Sequence, residues 1–577
     1  MPDKSSRLLV FTTCYNEFGN IGGLIDKIIE LLPQADVLVV DDNSPDGTFE
    51  VVLEKSKVFP QVTGVQRPRK LGIGSAHKYA LLYAMREGYD TLITMDADWS
   101  HDPKYFASML QALEENTFVT GSRYCEGGSC DYTGYRNIVS RFGNIVARYA
   151  LSVKIKELST YLRAFDVQNL RQLPLRHVKG AGYSYGVQLI YYLRKAGVEL
   201  REIPIHFADR THGASKIPRL QILHSAIDLL ILMSRRLNYF RDLAPDTFVG
   251  DECPNCHDRV LAMKHLGSGS REEAHRTSPL AYHCTSVGSR SYPPVYTCLR
   301  CGLQQVPGSM LPHNLENLYK DVVDEEYLNN LEARRRTFRR AFDQLAISLP
   351  PRPGRMLEVG AYCGLFMQEA SSRGWEIDGV EPSTWAARYA RESLGVNVYS
   401  GFLADNRSKL HRKYDVVASW DVLEHVRDPL TFVRECAEYL DVGGIFCFST
   451  LDVDTWFPQL SGTRWPWLID MHLHYFDRHV IEDLLARAGF ELLRVEPYAH
   501  YAHLRYALRG AARIFPSRWE RVFESLTKIV PSKLVLPVKF GDIKLYVARK
   551  SGVTVPSEKL PEQAIGGIHF SERVLSK

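Results

Sequence analysis

The sequence predicts an α/β protein with two doubly wound domains and a small cysteine-containing module between them. Residues 1–240 alternate short apolar strands with amphipathic helices, and a second alternation of this kind begins at Arg355. Such a βαβ rhythm favours a parallel sheet whose ligands bind at the carboxyl ends of the strands. Two CxxC pairs lie between the two alternations. The predicted divisions are an N-terminal domain over 1–245, a cysteine module over 250–308, a C-terminal domain over 309–550 and a tail over 551–577.

The composition of the 577-residue chain is that of an ordinary globular protein, with 45% hydrophobic and 24% charged residues. A net charge of +4 is too small to indicate a polyanionic partner, so no nucleic-acid binding is predicted. The longest apolar run, residues 226–233, is far shorter than the roughly 20 residues of a membrane-spanning helix, and no signal-peptide pattern opens the chain. We therefore expect a cytoplasmic protein whose contact with a membrane would be peripheral.

The first elements can be assigned in order from their side-chain patterns. LLVFTTC, residues 8–14, is typical of a buried strand. NIGGLIDKIIELL predicts a helix with one apolar face, formed by Ile21, Leu24, Ile25, Ile28 and Leu32. VLVVDD, residues 37–42, is the next strand, and the same alternation continues to about residue 240.

Carboxylates gather where two of these predicted strands end. Asp42 ends one strand, and Asp96 and Asp98 end the apolar run TLITM. Carboxylates this close together repel one another unless a positive charge lies between them. Mg²⁺ or Mn²⁺ bound with a diphosphate supplies that charge, because hard cations take carboxylate and phosphate oxygens. Asp102, which precedes a proline, we interpret instead as a turn residue.

Six short motifs occur in order within the first 220 residues or so. They are YNE (15–17), VVDDNSPDGT (39–48), KLGIGSAH (70–77), MDADWSHDP (95–103), GSRY (121–124) and DRTHGASK (209–216). Together they resemble an inverting family 2 glycosyltransferase of the dolichol-phosphate mannose synthase type. The resemblance implies a GT-A nucleotide-sugar fold, a GDP-mannose-like donor and a polyprenyl or dolichyl phosphate acceptor.

The resemblance also implies roles for side chains at the acidic strand ends. Asp96 and Asp98 would hold the Mg²⁺ or Mn²⁺ ion, and guanidinium groups would contact phosphate, because each can bind two oxygens. The predicted catalytic residues of this domain are Asp98, Arg123 and Arg210. The predicted nucleotide-sugar-binding residues are Asn16, Glu17, Asp42, Lys70, Gly72, Gly74, Asp96 and Lys216.

The acceptor is less well indicated than the donor. A polyprenyl phosphate needs no general base, since its second pKa of about 6 leaves it mostly dianionic near neutral pH. We find no clear general base in this half, which fits a phosphate acceptor, while a saccharide or small-molecule hydroxyl is the alternative. Two departures from the family pattern affect this region: Gln188 lies where an acid is common, and Tyr161 lies where glycine is common.

The cysteine module carries a ligand pattern for zinc. Cys253 and Cys256 form one CxxC pair, and Cys298 and Cys301 form the other. Four thiolates at this spacing are typical of a closed, tetrahedral structural zinc site of the zinc-ribbon kind. The 41 residues between the pairs are more than usual, but loop-closure entropy grows only slowly with length. Redox-active pairs or unpaired thiols are the alternatives.

The C-terminal alternation opens with a glycine-containing loop. LEVGAYCGLF places Glu358, Gly360 and Gly364 after a predicted strand, and Glu381 ends the next strand 21 residues after Gly360. An acid at that distance suits the ribose hydroxyls of a nucleotide-type ligand. The loop lacks GxGxxG, which argues against a dinucleotide oxidoreductase. DVLEHVRDP (421–429), LDVGG (440–444) and HLHYF (472–476) follow.

These motifs resemble a class I S-adenosylmethionine-dependent methyltransferase with a Rossmann-like fold, over about residues 250–548. The resemblance implies that S-adenosylmethionine (SAM) is bound by Glu358, Gly360, Gly364, Glu381 and Asp421. Tyr362 replaces the middle glycine of the usual motif. His425 is the predicted catalytic base, with His472 and His474 as further candidates that the sequence does not separate; packing roles are the alternative for each histidine.

The predicted function is that of a bifunctional transferase. It would transfer a hexose from a nucleotide sugar to a polyprenyl phosphate or glycan acceptor, at the inner face of the membrane if the acceptor is a lipid. It would also methylate a sugar or related intermediate with SAM. The alternative is a glycosyltransferase acting on a hydroxyl, with a C-terminal half that binds SAM without turnover. We expect the two α/β domains to have independent cores.

Overall fold

The computed structural model describes residues 6–131, 135–179, 183–208, 229–230, 232, 244–268, 292–411, 413–505, 508, 520–531 and 534–552. Arg210 and Lys216, two of the predicted site residues, lie outside the described residues, as do most of the insertion between the cysteine pairs and most of the tail. Within the described part of the chain, no helix is both long and apolar enough to span a membrane.

The N-terminal domain is built on a mixed seven-stranded sheet. Its strands are β1 (Leu8–Cys14), β2 (Asp36–Asp41), β3 (Val62–Gln66), β4 (Thr91–Asp96), β5 (Thr117–Ser122), β6 (Ser129–Cys130), β7 (Arg163–Asp166), β8 (Glu199–Pro204) and β9 (His206–Phe207). The order in the sheet is β3-β2-β1-β4-β7-β5-β8, and β6 and β9 pair separately. The acidic ends of β2 and β4 therefore lie on either side of β1, at the same edge.

Several helices accompany this sheet in the described part of the domain. They are α1 (Phe18–Leu31), α2 (Thr48–Val58), α3 (Ile73–Glu87), α4 (Phe106–Ala112), α5 (Tyr135–Leu151), α6 (Val167–Leu170) and α7 (Tyr183–Lys195). The predicted apolar face of α1 is confirmed, because Ile21, Leu24, Ile25 and Ile28 are fully buried. The apolar contacts form two clusters.

One strand departs from the predicted parallel sheet. β7 runs antiparallel to both of its neighbours, β4 and β5. The segment that leads into β7 lies at the carboxyl end of β5, where Glu157 pairs with Arg123. Because the chain enters β7 at the edge where β5 stops, β7 has to run in the opposite direction.

The C-terminal domain is a second seven-stranded sheet. The module contributes β10 (Leu261–His265), β11 (Val295–Cys298) and β12 (Gln304–Gln305), and the following strands are β13 (Arg355–Val359), β14 (Glu376–Glu381), β15 (Asn397–Ser400), β16 (Tyr414–Trp420), β17 (Leu440–Leu451), β18 (His474–Tyr475), β19 (Phe490–Pro497), β20 (His500–His503), β21 (Val535–Val538) and β22 (Ile543–Lys550). The sheet order is β15-β14-β13-β16-β17-β22-β19, with β22 antiparallel to both neighbours and the other pairs parallel.

Some of the described helices of this half begin with a side-chain cap. The described helices are α8 (Leu315–Lys320), α9 (Glu325–Leu328), α10 (Leu331–Leu345), α11 (Leu365–Ser372), α12 (Thr384–Leu394), α13 (Pro429–Glu438), α14 (Trp456–Ser461), α15 (Arg478–Arg487) and α16 (Glu520–Ile529). Ser383, Asp428 and Asp477 each accept a backbone N–H in the first turn of α12, α13 and α15. Such a cap satisfies a donor that the helix itself cannot.

The cysteine module joins the two domains. Its sheet has the order β10-β11-β12-β18, so its last strand comes from the HLHYF segment of the C-terminal domain. Val260, Ala262 and Leu299 of the module belong to an apolar cluster of the N-terminal domain. Other module residues, including the four cysteines, belong to a cluster of the C-terminal domain. The two α/β halves have separate cores, as expected, but the module contributes to both.

Polar contacts link the same three parts. On the loop after β3, Arg69 donates from Nη1 and Nη2 to the two carboxylate oxygens of Asp477, at 3.1 and 2.6 Å. The hydroxyl of Tyr79 on α3 donates to Asp258 Oδ2 at 2.9 Å. The loop and the helix that follow β3 are therefore held against both the module and the C-terminal domain.

Candidate active sites

The carboxylate of Asp42 is paired with a buried arginine. Arg67 Nε donates to Asp42 Oδ1 at 2.6 Å, and the guanidinium also donates to Ser75 Oγ at 2.7 Å and to the carbonyl of Gly72 at 3.2 Å. The amide of Gly72 donates to Asp42 Oδ2 at 3.2 Å. Burial lowers the pKa of Arg67, and the Asp42 charge opposes that shift. The pair thus ties the glycine loop, residues 67–72, to the end of β2.

Sequence reasoning missed Arg67. It is one of three basic residues in RPRK, residues 67–70, and no pattern in that stretch shows which one turns inward. Gly72 follows with φ of 90°, a conformation that favours glycine. At Asp42, which the resemblance implies to be a nucleotide-sugar-binding residue, the protein itself supplies a positive charge through Arg67.

The carboxylates of Asp96 and Asp98, at the end of β4, lie in an environment different from that of Asp42. The side chain of Asp96 is 25% exposed, whereas Asp98 is buried and accepts the Ser100 amide at 3.1 Å. His101 Nδ1 accepts the Asp96 N–H at 3.0 Å, so its Nε2 carries the proton toward Thr160 Oγ1, 2.9 Å away. Burial lowers the pKa of His101 to about 4. The imidazole is neutral at physiological pH, and two carboxylates at this strand end suit a hard divalent cation.

Arg123 forms a buried pair with a residue that the sequence did not single out. Its Nε and Nη2 donate to the two carboxylate oxygens of Glu157, at 2.7 and 3.0 Å, and Nη2 also donates to Ser159 Oγ at 2.9 Å. Glu157 is fully buried. This bidentate contact fixes the guanidinium at the carboxyl edge of β5. Contact between Arg123 and a substrate phosphate stays a prediction.

The remaining predicted donor residues lie on neighbouring loops. The amide of Asn16, at φ 61°, donates to Ser44 Oγ at 2.9 Å, and that of Glu17 donates to Thr48 Oγ1 at the same distance. Lys70 is exposed, with Nζ 4.0 Å from the centroid of the Tyr15 ring. Gly74 is buried in the first turn of α3. The YNE motif is thus held against the acidic loop between β2 and α2.

Both departures from the family pattern are accommodated. Tyr161 has no positive φ, so its position does not need the freedom of glycine. Its ring is buried and stacks on His77, with centroids 4.1 Å apart. Gln188 accepts the Lys179 amide on its side-chain oxygen at 2.9 Å. An acid in that place could accept the same hydrogen bond.

The four cysteines of the module converge as predicted. Sγ atoms of Cys253 and Cys301, and of Cys256 and Cys298, are 3.5 Å apart, and all four lie within 4.8 Å of one another and are buried. In each pair the amide that follows the second cysteine donates to the carbonyl of the first, from His257 at 2.8 Å and from Gly302 at 2.9 Å. Both of these residues have positive φ. The two halves of the cluster are therefore built by the same tight turn.

Two glycines of the C-terminal loop are required by contacts. A Cβ on Gly360, at φ 81°, would lie 2.5 Å from Val422 Cγ2, and one on Gly364, at φ 75°, would lie 2.8 Å from Val396 Cγ2. Tyr362, between them, has φ 46°, a left-handed conformation that glycine adopts more readily. That conformation costs a residue with a side chain about 1–2 kcal/mol.

Two glutamates lie at the strand ends beneath this loop. Glu381 accepts the amides of Tyr362 and Ser383, one on each carboxylate oxygen, both at 2.8 Å. Burial raises the pKa of Glu381 to about 7, although these amides oppose the shift. Burial, and then the charge of Glu381, raise the pKa of Glu358 well above its usual value. Of these two glutamates, Glu381 is the one whose pKa lies near neutral pH.

Asp421 at the end of β16 is anchored by two neighbours. Ser449 Oγ donates to its Oδ1 at 2.6 Å, and His500 Nε2 lies 3.3 Å from its Oδ2. Asp421 also has a positive φ of 52°. Burial raises its pKa, but the contact with His500 and the hydrogen bond from Ser449 act in the other direction, and the net shift is downward. His500 was not predicted, because it lies on a strand far along the chain with no motif around it.

The structure separates the three candidate histidines. His425 Nδ1 lies 2.8 Å from the carbonyl of Met471, and His472 Nδ1 lies 2.7 Å from that of Trp467. Their rings are 4.9 Å apart between centroids. His474 instead approaches the carbonyl of Arg427 through Nε2, at 3.2 Å. Burial lowers the pKa of His425 to about 4 and that of His472 well below its usual value, so both rings are neutral.

Comparisons with known proteins divide the chain in the same way. Residues 9–173 match the family Glycosyl transferase family 2, and residues 331–495 match a Methyltransferase domain. The expected pair of α/β domains, one GT-A-like and one Rossmann-like methyltransferase, is thereby confirmed, with a four-cysteine cluster between them.

Relatives of known function match the N-terminal domain. An undecaprenyl-phosphate mannosyltransferase of Micrococcus luteus is 31% identical over 212 residues, which are 37% of this chain and 87% of that protein. A polyprenol monophosphomannose synthase of Mycolicibacterium smegmatis is 33% identical over 216 residues, 37% of this chain and 82% of that protein.

Among solved structures, a SAM-dependent methyltransferase of Thermotoga maritima, described as a possible histamine N-methyltransferase, is 21% identical to this chain. The match covers 39% of this chain and 95% of that one, with a TM-score of 0.27.

Proposed function

The chain belongs to glycosyl transferase family 2 through its N-terminal domain, and from this membership we propose that the domain transfers mannose from a GDP-mannose-like donor to polyprenyl phosphate. The names of the two curated relatives support both the sugar and the lipid acceptor. The observation that carries the proposal is the placement of helix α5. One side of this helix reaches the Arg123–Glu157 pair, and the other side is apolar and exposed.

The polar side of α5 is tied to the candidate site by two hydrogen bonds. Tyr124, next to Arg123, donates its hydroxyl to Ser140 Oγ at 2.8 Å. Asn144 Nδ2 donates at 3.2 Å to Ser159 Oγ, which also accepts from Arg123. The exposed apolar side chains, between 37% and 73% accessible, are Ile138, Phe142, Ile145, Val146 and Tyr149. An apolar helix face beside an arginine suits an acceptor with a phosphate head and a hydrocarbon tail.

The chemistry asks little of the protein beyond positioning. The acceptor phosphate is already an anionic nucleophile near neutral pH, so the absence of an assigned general base in this half is no obstacle. Asp96 and Asp98 are the side chains that would hold Mg²⁺ or Mn²⁺, which when bound neutralises the leaving diphosphate. Asp42, held by Arg67, and the loop ending at Gly72 would orient the nucleotide. Peripheral contact of α5 with the inner face of the membrane would bring the acceptor to this edge.

For the C-terminal domain we propose SAM-dependent methylation of a sugar or a related intermediate. Glu381 would accept hydrogen bonds from the ribose hydroxyls of SAM, and the loop that holds Gly360 and Gly364 would contact SAM through its backbone. His425 donates its Nδ1 proton to the Met471 carbonyl, so Nε2 carries the lone pair that can take a proton from the methyl acceptor. We further propose that the four cysteines hold a structural zinc ion.

The deciding experiment is a product assay on the full-length protein. Undecaprenyl phosphate is incubated with GDP-mannose, UDP-glucose or other nucleotide sugars, with and without SAM, and the lipid-linked sugars are identified by mass spectrometry. We expect a mannosyl phospholipid from GDP-mannose. In incubations with SAM, a product whose mass increases by one methylation would identify the methyl acceptor. Sugar transfer to a free hydroxyl but not to the lipid phosphate would refute the proposed acceptor.

A matched pair of variants tests the metal-binding carboxylates. Asp98→Asn should lower mannosyl transfer by at least about a hundredfold, because one charge of the proposed metal site is lost. Asp102→Asn is the control, since that side chain is exposed and caps the short helix after β4 by accepting the Lys104 amide at 2.9 Å. Equal activity in the two variants, or full activity in the presence of a chelator, would contradict the metal role.

A further inference from the structure

Three side chains beside the proposed methyl-transfer site have the geometry of a metal site. Glu424, His425 and His472 each offer one ligand atom, and these atoms lie within 4.8 Å of one another. Glu424 and His472 are buried and His425 is partly buried. Two imidazoles and one carboxylate are the ligand set that borderline divalent metals such as Zn²⁺, Fe²⁺ and Mn²⁺ share in proteins.

The orientation of the two imidazoles is a second, independent observation. In both rings Nδ1 lies within 2.8 Å of a backbone carbonyl, that of Met471 for His425 and that of Trp467 for His472. A carbonyl can only accept, so Nδ1 carries the proton in each ring and Nε2 carries the lone pair. Histidines that ligate metals are held in this way, with the other ring nitrogen donating to a carbonyl or carboxylate.

The third ligand is a buried carboxyl group with one oxygen available to a metal ion. Thr450 Oγ1 donates to Glu424 Oε2 at 2.8 Å, which leaves the other oxygen for a further partner. Among the described residues, Glu424 takes part in no ion pair with a lysine or arginine. Burying a carboxylate without a cation is costly, and a bound cation would offset that cost.

We propose that Glu424, His425 and His472 bind one divalent transition-metal ion, separate from the four-cysteine cluster. Three protein ligands leave open positions, as in catalytic metal sites. If the domain transfers methyl groups as proposed above, those positions would take oxygen atoms of the methyl acceptor, and the ion would lower the pKa of an acceptor hydroxyl. The acceptor would then be a compound with neighbouring oxygen donors, such as a sugar diol. With the ion bound, His425 is a ligand rather than a base, and the proton of the acceptor hydroxyl would pass to solvent water.

The test is metal binding by the full-length protein without SAM or sugar. After dialysis against a mild chelator, Co²⁺ is titrated and followed by calorimetry and visible absorption, since thiolate-bound Co²⁺ gives intense charge-transfer bands and a histidine–carboxylate site does not. We expect a second equivalent of Co²⁺ that adds only weak bands. His472→Ala should weaken this second equivalent by at least about tenfold. His474→Ala, two residues along the chain and bound to the Arg427 carbonyl, should leave it unchanged.

Glu424→Gln serves as the second variant, and circular dichroism checks that each variant is folded. Binding of one Co²⁺ per chain, all of it with thiolate bands, would overturn the proposal, as would a second equivalent that survives both His472→Ala and Glu424→Gln. These results do not depend on methyl transfer, so the proposed activity can fail while the metal site stands, and the reverse.

Discussion

The carboxylate of Glu381 should make SAM binding depend on pH in the physiological range. Its two oxygens each accept a backbone amide at 2.8 Å, yet burial still raises its pKa from an ordinary 4.5 to about 7. Ribose hydroxyls donate to the ionised form, so SAM should bind the deprotonated protein. Below the pKa, affinity should fall by about tenfold per pH unit, which corresponds to about 1.36 kcal/mol per unit.

The same shift has a consequence for the protein without ligand. Because the folded pKa lies above the unfolded value, the folded state holds a proton that the unfolded state has released between pH 4.5 and about 7. The contribution of Glu381 to stability is therefore fully present below pH 4.5 and is lost as the pH rises through about 7. SAM binding should reverse part of this loss by favouring the ionised form.

Calorimetry with SAM at pH 6, 7 and 8 measures the effect directly. We expect affinity to fall by about tenfold from pH 8 to pH 6, with a proton released on binding at the lower pH. Glu381→Gln should bind SAM about ten- to a hundredfold more weakly at pH 8, through loss of charge-assisted hydrogen bonds, and should lose the pH dependence. Glu376→Gln, at the exposed opposite end of β14, is the control. The same pH slope in Glu381→Gln and wild type would refute the assignment.

Three further outcomes follow from contacts described above. One zinc ion per four-cysteine cluster should copurify, and Cys298→Ser should lower the thermal stability of both domains, whereas elemental analysis without zinc would contradict the site. Arg67→Met should destabilise the N-terminal domain by about 3–5 kcal/mol in denaturant unfolding and weaken nucleotide-sugar binding, because the buried charge of Asp42 loses its partner. Unchanged affinity for the nucleotide sugar would show that the Arg67–Asp42 pair is not part of the donor site. Replacing Phe142 and Ile145 by serine should reduce binding to anionic lipid vesicles while sparing turnover of a short-chain soluble acceptor, and equal loss of both would mean a structural role for α5.

The architecture was predictable because its signal is periodic and local. Apolar faces such as that of α1, the acids at strand ends and the paired cysteines are all visible within about ten residues of chain. Contacts between distant segments were not. Nothing near Asp42 shows that Arg67 will neutralise it, and nothing near Arg123 points to Glu157. The antiparallel direction of β7 likewise depends on where the chain returns from α5.

Tyr362 and the histidines of HLHYF show that single positions, too, depend on tertiary structure that the sequence does not reveal. By residue type Tyr362 departs from a glycine motif, but its backbone is left-handed, at φ 46°, which a residue-type pattern cannot show. His472 and His474 were inseparable because they are two positions apart on an edge segment. Their side chains meet different carbonyls, those of Trp467 and Arg427, and only tertiary structure decides which one joins His425.

The shared module changes how the molecule can be cut. Val260, Ala262 and Leu299 fill a face of the glycosyltransferase core, while β18 of the methyltransferase closes the sheet of the module. A chain truncated after about residue 245 would expose apolar surface on the glycosyltransferase. A chain that begins at about residue 245 would expose the apolar surface of the module that packs against the glycosyltransferase. Each enzyme thus depends on the shared module to cover part of its core. Domain swaps with single-function relatives should therefore carry residues 250–308 along with whichever half is kept.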